Sequence, residues 1–426
     1  MSLENQLSRK TSVVLISLIE LLERFSYYGI RPLLVIFITT EENTGFSQEM
    51  GVGMLGIFTI LIGILPLPMG ILTDLVFKQE KGIIIGASLS LLGHLMIFIG
   101  NVYVISLGLL LIAFGSGLVK PSLSILMGRL FHKKEEKRNL AFVILFAGIN
   151  LGALASIVSL GYLSEVIDWS YGFCLTALAT FLYLLIFVRI KNRLKYRESN
   201  IEETVVFELE EDMAVLDRPP TKQVAYFSSY VLIFIITLVS VIYWRSYGIF
   251  SAYQIEFLAE FETLSLLGMT VGSYDLYVMN SYFTIPGTFI IIALWYFRGV
   301  GSTILKLSYG ILMLGTASLF IWFTTAIAED WVMWYSLIPA LLIGVSEVIF
   351  PSVVAAYVTR LSSVEWSSTA YGSFLLLAFA FPKLLDWLMI NGFGHQFMVF
   401  IVIAFVIGIA LVVFKKQLLL LAKGVD

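Results

Sequence analysis

The sequence predicts an all-α integral membrane protein with twelve transmembrane helices in two six-helix bundles, a multi-pass protein of a cell (inner or plasma) membrane. Three observations predict this. The 426 residues are 59% hydrophobic and 13% charged, with a mean hydropathy of +0.92, far from the roughly 25% charged residues of a water-soluble domain. Apolar runs recur at close to the roughly 20 residues that cross the hydrocarbon core. Outside the helices, basic residues fall only on alternate sides of those runs.

The apolar windows lie at 11–39, 50–76, 82–100, 102–127, 140–163, 170–190, 223–255, 272–297, 302–327, 331–358, 366–390 and 395–414. The first is expected to stay in the mature protein, because Glu20, Glu23, Arg24 and Arg31 interrupt it and no small-residue cleavage site follows. With both termini in the cytoplasm, all but five of the 27 Lys and Arg residues fall in inside segments. The five are Arg24, Arg31, Lys120, Arg245 and Lys383, all within helices. Outside loops carry acids instead, including Glu41, Glu42, Asp168, Glu262, Glu329 and Asp330.

One long hydrophilic stretch divides the chain. Residues 1–190 form the predicted N-terminal bundle, 191–222 a cytoplasmic linker and 223–426 the C-terminal bundle. The linker begins basic (Lys191, Arg193, Lys195, Arg197), turns acidic (Glu202, Glu203, Glu208, Glu210, Glu211, Asp212) and ends at Pro219-Pro220, a pattern that suits a solvated tether.

Several function classes are excluded. A net charge of −3 and a pI near 5.8 give no basic footprint for nucleic acid. Cys174 stands alone, so no intrachain disulfide or cysteine-rich metal site forms. His94, His132 and His395 are far apart and lack ligand spacing, so neither a metal centre nor an intramembrane hydrolase is expected, and no cofactor is implied. His94 reads as a packing residue or weak helix contact rather than a proton carrier, and Lys383 with Asp386 as a mutually neutralising pair, with a gate as the other reading.

Charge inside a bilayer is costly, so intramembrane ionisable groups mark function. The run Glu20-Leu-Leu-Glu23-Arg24-Phe25-Ser26-Tyr27-Tyr28-Gly29-Ile30-Arg31 is the densest cluster. At 3.6 residues per turn, Glu20, Arg24, Tyr27 or Tyr28, and Arg31 share one stripe, with Glu23 one turn from Glu20 and Tyr27. Such a stripe must face a polar interior. A packing cluster with no further role is the competing reading.

The layout of six helices, linker and six helices is that of the major facilitator superfamily, whose halves rock about a site near the midplane. Glu20-x-x-Glu23-Arg24-Phe25-x-Tyr27-Tyr28-Gly29 matches in full the first-helix signature of the proton-dependent oligopeptide transporters, a branch of that superfamily. Arg31 resembles that family's second first-helix arginine, Lys120 before Pro121 its fourth-helix lysine, and Asn150 its fifth-helix asparagine. Tyr243-Trp244 resembles the seventh-helix aromatic pair, Asn280 with Pro286 the eighth-helix pattern, and Glu347 with Pro351 the tenth-helix acid. The resemblance implies symport of protons with di- or tripeptides.

The chain also departs from that family. Its linker has no room for the two extra helices common in bacterial members. Tyr247 and Gly248 stand where peptide-transporting relatives often carry an acid, and Arg245 precedes them. The superfamily signature after the second helix survives as Gly70-x-x-x-Asp74, followed by Lys78 and Lys81.

A zwitterionic substrate needs a cation near its carboxylate and an acid near its ammonium. Arg24, Arg31 and Lys120 supply the first, Glu347 helped by Asn280 the second. Asn150 adds a neutral hydrogen-bonding group, and Tyr27, Tyr28 and Trp244 offer apolar faces with polar tips. Glu23, supported by Glu20 and Arg24, is read as the proton carrier. Lys120 and Glu347 are expected to pair as a cytoplasmic gate, while Arg31 uses Glu256 or holds a substrate anion; Lys120 could instead snorkel to the interface. The alternatives are a carrier of amino acids, nitrate or another small anion, a drug exporter of the same fold, and a passive channel.

Overall fold

The computed structural model describes residues 7–40, 47–98, 102–131, 135–166, 169–194, 222–258, 263–266, 269–272, 279–298, 301–324, 329–382 and 393–422. Its helices are α1 (Arg9–Thr40), α2 (Gln48–Ile64), α3 (Pro66–Leu72), α4 (Lys78–Ile97), α5 (Val102–Arg129), α6 (Glu135–Val166) and α7 (Trp169–Ile190). Then come α8 (Lys222–Leu258), α9 (Met279–Arg298), α10 (Thr303–Thr324), α11 (Glu329–Leu361), α12 (Ser367–Leu375), α13 (Phe393–Val413) and α14 (Lys415–Ala422). Each apolar window of the sequence holds helix. Among the described residues, seven helical stretches are long and apolar enough to cross a membrane, or eight if α13 and α14, bent by 69°, count as one. The 32-residue α1 is not among them because its charged cluster breaks the apolar run.

The window at 50–76 is not one helix. Pro66, which has no N–H to donate, starts α3 after a break at Leu65, and a π-helical turn over Thr73–Phe77 follows. Lys78 then adopts φ 57°, ψ 163°, a backbone region that side chains rarely occupy, and the chain turns into α4. Helix α12 likewise passes into a π-helical turn over Leu376–Ala380. A small hairpin, β1 (Thr263–Leu266) against β2 (Met269–Gly272), pairs antiparallel with Leu266 opposite Met269. It and α14 were not legible as elements, being short and outside the apolar windows.

The contacts divide the chain into two compact units, Met1–Glu203 with Val358–Leu376, and Thr204–Tyr357 with Leu377–Asp426. The boundary read from the sequence assigns 358–376 to the second half. Small residues explain its place in the first unit. A Cβ on Gly70 would lie 2.4 Å from the Ser368 carbonyl oxygen, and one on Gly372 would lie 2.2 Å from that of Pro66, so α3 and α12 approach backbone to backbone. The same device joins α4 to α5, where Gly86 meets the carbonyl of Gly115 and Gly93 that of Gly108. In the second unit, Ser308 donates to the Gly408 carbonyl at 2.7 Å, fixing α10 against α13.

The outer faces are apolar too. On α13, Val399, Val402, Val406 and Ile409 recur at helical spacing and are exposed, while Ile401, Ala404 and Leu411 of the same helix are buried. A helix apolar on both sides is covered by protein on one and by lipid on the other.

Candidate functional site

In the first unit, Gly148 and Gly152 of α6 seat α1. A Cβ on Gly148 would fall 2.5 Å from the Ser17 carbonyl oxygen and one on Gly152 2.2 Å from that of Leu21. This contact turns the charged stripe of α1 inward, and Glu20, Glu23 and Arg24 are all buried, at 3%, 5% and 2% exposure. Arg24 forks onto Glu23: Nη2 donates to Oε1 at 2.6 Å and Nε donates to Oε2. Nε also stands 3.6 Å from Oε1 of Glu20. Ser116 of α5 donates to Glu23 Oε1 at 3.2 Å. The three charged groups therefore form one cluster, with Glu23 the principal partner of the arginine and Glu20 the secondary one.

Aromatic and basic residues border this cluster. The Arg24 guanidinium lies over the Tyr27 ring at 4.8 Å, and Tyr27 meets Tyr28 edge-on at 5.0 Å and Phe58 at 6.1 Å. Tyr27 is buried in an apolar cluster with Ile30, Phe58 and Leu160, whereas Tyr28 is partly exposed. Lys120 is half-buried and attracts Glu20 electrostatically. The Asn150 amide donates to the Phe146 carbonyl of its own helix at 2.9 Å, which fixes its orientation.

Behind the cluster runs a buried polar seam. Thr180 Oγ1 is 3.0 Å from Ser26 Oγ, and His94 Nδ1 is 2.6 Å from the Ser90 carbonyl oxygen. That carbonyl can only accept, so His94 carries its proton on Nδ1. His94 thus binds a helix main chain, in keeping with a packing residue.

In the second unit, Glu347 lies on α11, and Thr284 of α9 donates to its Oε2 at 3.3 Å. Tyr247 of α8 adds a second hydroxyl hydrogen bond to the same carboxylate. Trp244 packs against Tyr243 at 5.4 Å, Tyr247 at 5.6 Å and Phe379 at 4.8 Å. Tyr243 is stacked on Phe350 at 4.0 Å and shares a 2.9 Å hydrogen bond with Ser346. Arg245 is buried, with its guanidinium over the Phe400 ring at 5.6 Å.

The structure thus brings together Glu20, Glu23, Arg24, Tyr27, Tyr28 and Lys120 in one unit, and Trp244 with Glu347 in the other. The side chains of Arg31, Glu256 and Asn280 lie outside the described residues, as do Lys383, Asp386 and the side chains of His132 and His395. Sequence reasoning missed Ser116, Tyr247 and Thr284 as partners of the two acids. A serine between two glycines reads as helix packing, and Tyr247 reads only as a replaced acid. Among the described residues no group of three or more His, Cys, Asp or Glu is placed to hold a metal ion.

A membrane bundle with charged groups buried in its interior is the architecture of a transporter. The chain matches the Major Facilitator Superfamily over residues 16–385 and belongs to it. Within that superfamily its likeness is to the proton-dependent oligopeptide transporters. It is 34% identical to the peptide transporter YePEPT of Yersinia enterocolitica over 175 residues, 39% of this chain and 34% of that one. It is 30% identical to a di-/tripeptide transporter of Lactococcus lactis over 168 residues, 37% of this chain and 33% of that one. The matched stretch thus spans about a third of the length of these relatives. The fold is similar over 96% of both chains to a POT family transporter crystallised with 5-aminolevulinic acid, at a TM-score of 0.65 and 17% identity. A peptide transporter POT crystallised with sulfate has a TM-score of 0.63 at 18% identity, covering 96% of this chain and 95% of that one.

Proposed function

We propose that the protein is a proton-coupled symporter that takes up di- or tripeptides, or related small zwitterions, by alternating access across a cell membrane. In this reading twelve helices form two six-helix bundles with both termini in the cytoplasm. The observation that carries it is the buried Glu20–Glu23–Arg24 cluster. Arg24 is held by carboxylates but not neutralised by covalent or metal chemistry, so a substrate carboxylate can take over one of its forks. When it does, the released glutamate loses its cation and takes up a proton, which links substrate binding to proton binding through one arginine. The neutralised site then reorients at less electrostatic cost.

Arg31 and Lys120 are proposed to assist at the substrate carboxylate, and Glu347 with Asn280 at the ammonium. Asn150, Tyr27, Tyr28 and Trp244 complete the substrate contacts, while Lys120 with Glu347 and Arg31 with Glu256 act as gates. The likeness to peptide transporters supports the substrate class, and the missing seventh-helix acid keeps single amino acids and small anions as the second reading. Proteoliposomes tested with dipeptides, tripeptides, amino acids and nitrate under an imposed pH gradient decide between them. Gradient-driven accumulation of peptides is the expected result; accumulation of nitrate alone overturns the zwitterion assignment.

A further inference from the structure

Helix α13 does not stop where its apolar run stops; the chain bends by 69° at Phe414 and continues as α14. The cause is not local. No proline or glycine lies between Ile409 and Ala422. Helical main-chain bonds persist across the bend, from the Phe414 N–H to the Ala410 carbonyl at 2.8 Å and from the Leu418 N–H to the Phe414 carbonyl at 3.0 Å. The direction of α14 is therefore set by what surrounds it, and it lies against α8 and α10 of its own unit.

Protein covers only part of this helix. Leu418, Leu419 and Leu421 are half-buried, but consecutive leucines on a helix point to every side, and Leu420 is 62% exposed. Lys416, also exposed, stands one turn before Leu420 on the same face. That face follows directly on the lipid-facing stripe of α13, where Val406, Ile409 and Val413 are exposed and lead to the exposed Phe414. The lysines have no counter-charge among the neighbouring helices. The sequences of α10, α13 and α14 contain no acid, and the single acid of α8, Glu256, lies in its last turn.

We infer that α14 is an interfacial helix that binds the anionic headgroups of the adjoining membrane leaflet, with Lys415 and Lys416 at the phosphates and Phe414 and Leu420 at the acyl boundary. Lysine stems lie along apolar surface while their ammonium groups reach the headgroups. Charge complementarity, together with continuity with the lipid-facing surface of α13, selects a lipid surface over a soluble anion. Because α14 rests on α8 and α10, headgroup binding also steadies those two helices. Placing this leaflet on the cytoplasmic side rests on the reading with both termini inside; the lipid binding itself does not.

Thermal unfolding of the full chain in detergent, titrated with phosphatidylglycerol or phosphatidylcholine, tests this. Phosphatidylglycerol should raise the midpoint more than phosphatidylcholine, and high salt should reduce the difference. Each lysine near an anionic surface strengthens binding about fivefold, so Lys415→Gln combined with Lys416→Gln should raise the phosphatidylglycerol needed by about 25-fold. The midpoint of that variant in phosphatidylcholine should match the wild type. In proteoliposomes, a nitroxide on Leu420→Cys in a Cys174→Ser background should be relaxed by oxygen more than by a water-soluble nickel chelate. An equal response to both lipids, a phosphatidylglycerol preference retained by the double variant, or a chelate-accessible label overturns the inference. Stabilisation by inorganic phosphate alone overturns it in favour of a soluble anion, and spin–spin broadening of the label in favour of a second copy of the chain. A midpoint lowered by the lysine substitutions without anionic lipid assigns the lysines to acids such as Glu208, Glu210 and Glu211 of the linker, and overturns it as well. None of these readouts involves uptake, so a failed symport assay leaves the result in place.

Discussion

Asp74 accepts the main-chain N–H of Thr369 at 2.7 Å, so that a carboxylate in the π-helical turn after α3 caps a helix that begins almost 300 residues later. The same carboxylate accepts the N–H of Ser368 at 3.1 Å and the Thr369 hydroxyl at 2.8 Å. Gln79 joins the cap by donating to Asp74 at 3.2 Å and to Ser368 Oγ at 2.9 Å. The first N–H groups of α12 have no partner inside their own helix, and the helix dipole adds to their attraction for an anion. Here the Gly70-x-x-x-Asp74 spacing acquires its physical sense. The glycine admits the α12 backbone, and one turn later the acid meets that helix's start.

Asp74→Ala should therefore lower stability by about 1–2 kcal/mol, the usual worth of a charged cap. Asp74→Asn, which keeps an acceptor but loses the charge, should cost roughly half as much. Thermal unfolding in detergent checks both. An unchanged midpoint for the alanine variant would mean that the cap contributes nothing and that the glycine contacts alone hold α12.

Two glycines separate close packing from mere permissiveness. A Cβ on Gly152 would fall 2.2 Å from the Leu21 carbonyl oxygen and 3.2 Å from Arg24 Cβ, whereas one on Gly53 meets nothing within 4 Å. Gly152→Ala should cost about 1–3 kcal/mol by overpacking and depress uptake, because it displaces the backbone that carries Glu20, Glu23 and Arg24. Gly53→Ala should be neutral or stabilise by up to about 1 kcal/mol through helix propensity. Equal behaviour of the two variants in unfolding and uptake would refute the packing account.

The charged stripe of α1 was legible because four ionisable groups in an apolar run admit few explanations in lipid, and the helical period alone put Glu20 and Arg24 on one side. Glu347 was legible through its resemblance to a tenth-helix acid. Their neutral partners were not. Ser116, Thr284 and Tyr247 are ordinary helix residues whose role depends on which helix lies opposite, and no spacing within one segment encodes that. The break at Pro66 follows from proline chemistry, but the turn at Lys78 arises at a residue with no conformational signal. Membership of 358–376 in the first unit was hidden as well, since Gly70 and Gly372 announce close packing without naming their neighbours.

Ser116→Ala removes a neutral donor to Glu23 and leaves the Arg24 fork intact. The variant should lose on the order of 1 kcal/mol of stability. Because the hydroxyl donates to the carboxylate that holds Arg24, the pH dependence of gradient-driven uptake should change while counterflow at fixed pH stays within about threefold of wild type, a difference below about 1 kcal/mol in the barrier. A pH profile superimposable on the wild type would show that Ser116 has no part in setting the proton affinity of the cluster.

The fork geometry assigns unequal roles to the two glutamates of α1. Glu23 holds two nitrogens of Arg24, while Glu20 reaches Nε at 3.6 Å and faces Lys120 electrostatically. Glu23→Gln preserves shape and fixes the neutral form, so a bound substrate still reorients but no proton need accompany it. Counterflow between labelled and unlabelled substrate should persist, and accumulation driven by a proton gradient should disappear. Glu20→Gln leaves the fork in place, and its proton-driven accumulation should survive with weakened substrate affinity, by about tenfold or less, worth some 1.4 kcal/mol. Arg24→Lys cannot reproduce two parallel N–H donors to one carboxylate and should abolish coupled uptake despite its conserved charge. If the Glu23→Gln protein still concentrates substrate when only a proton gradient is supplied, the coupled proton does not reside on Glu23.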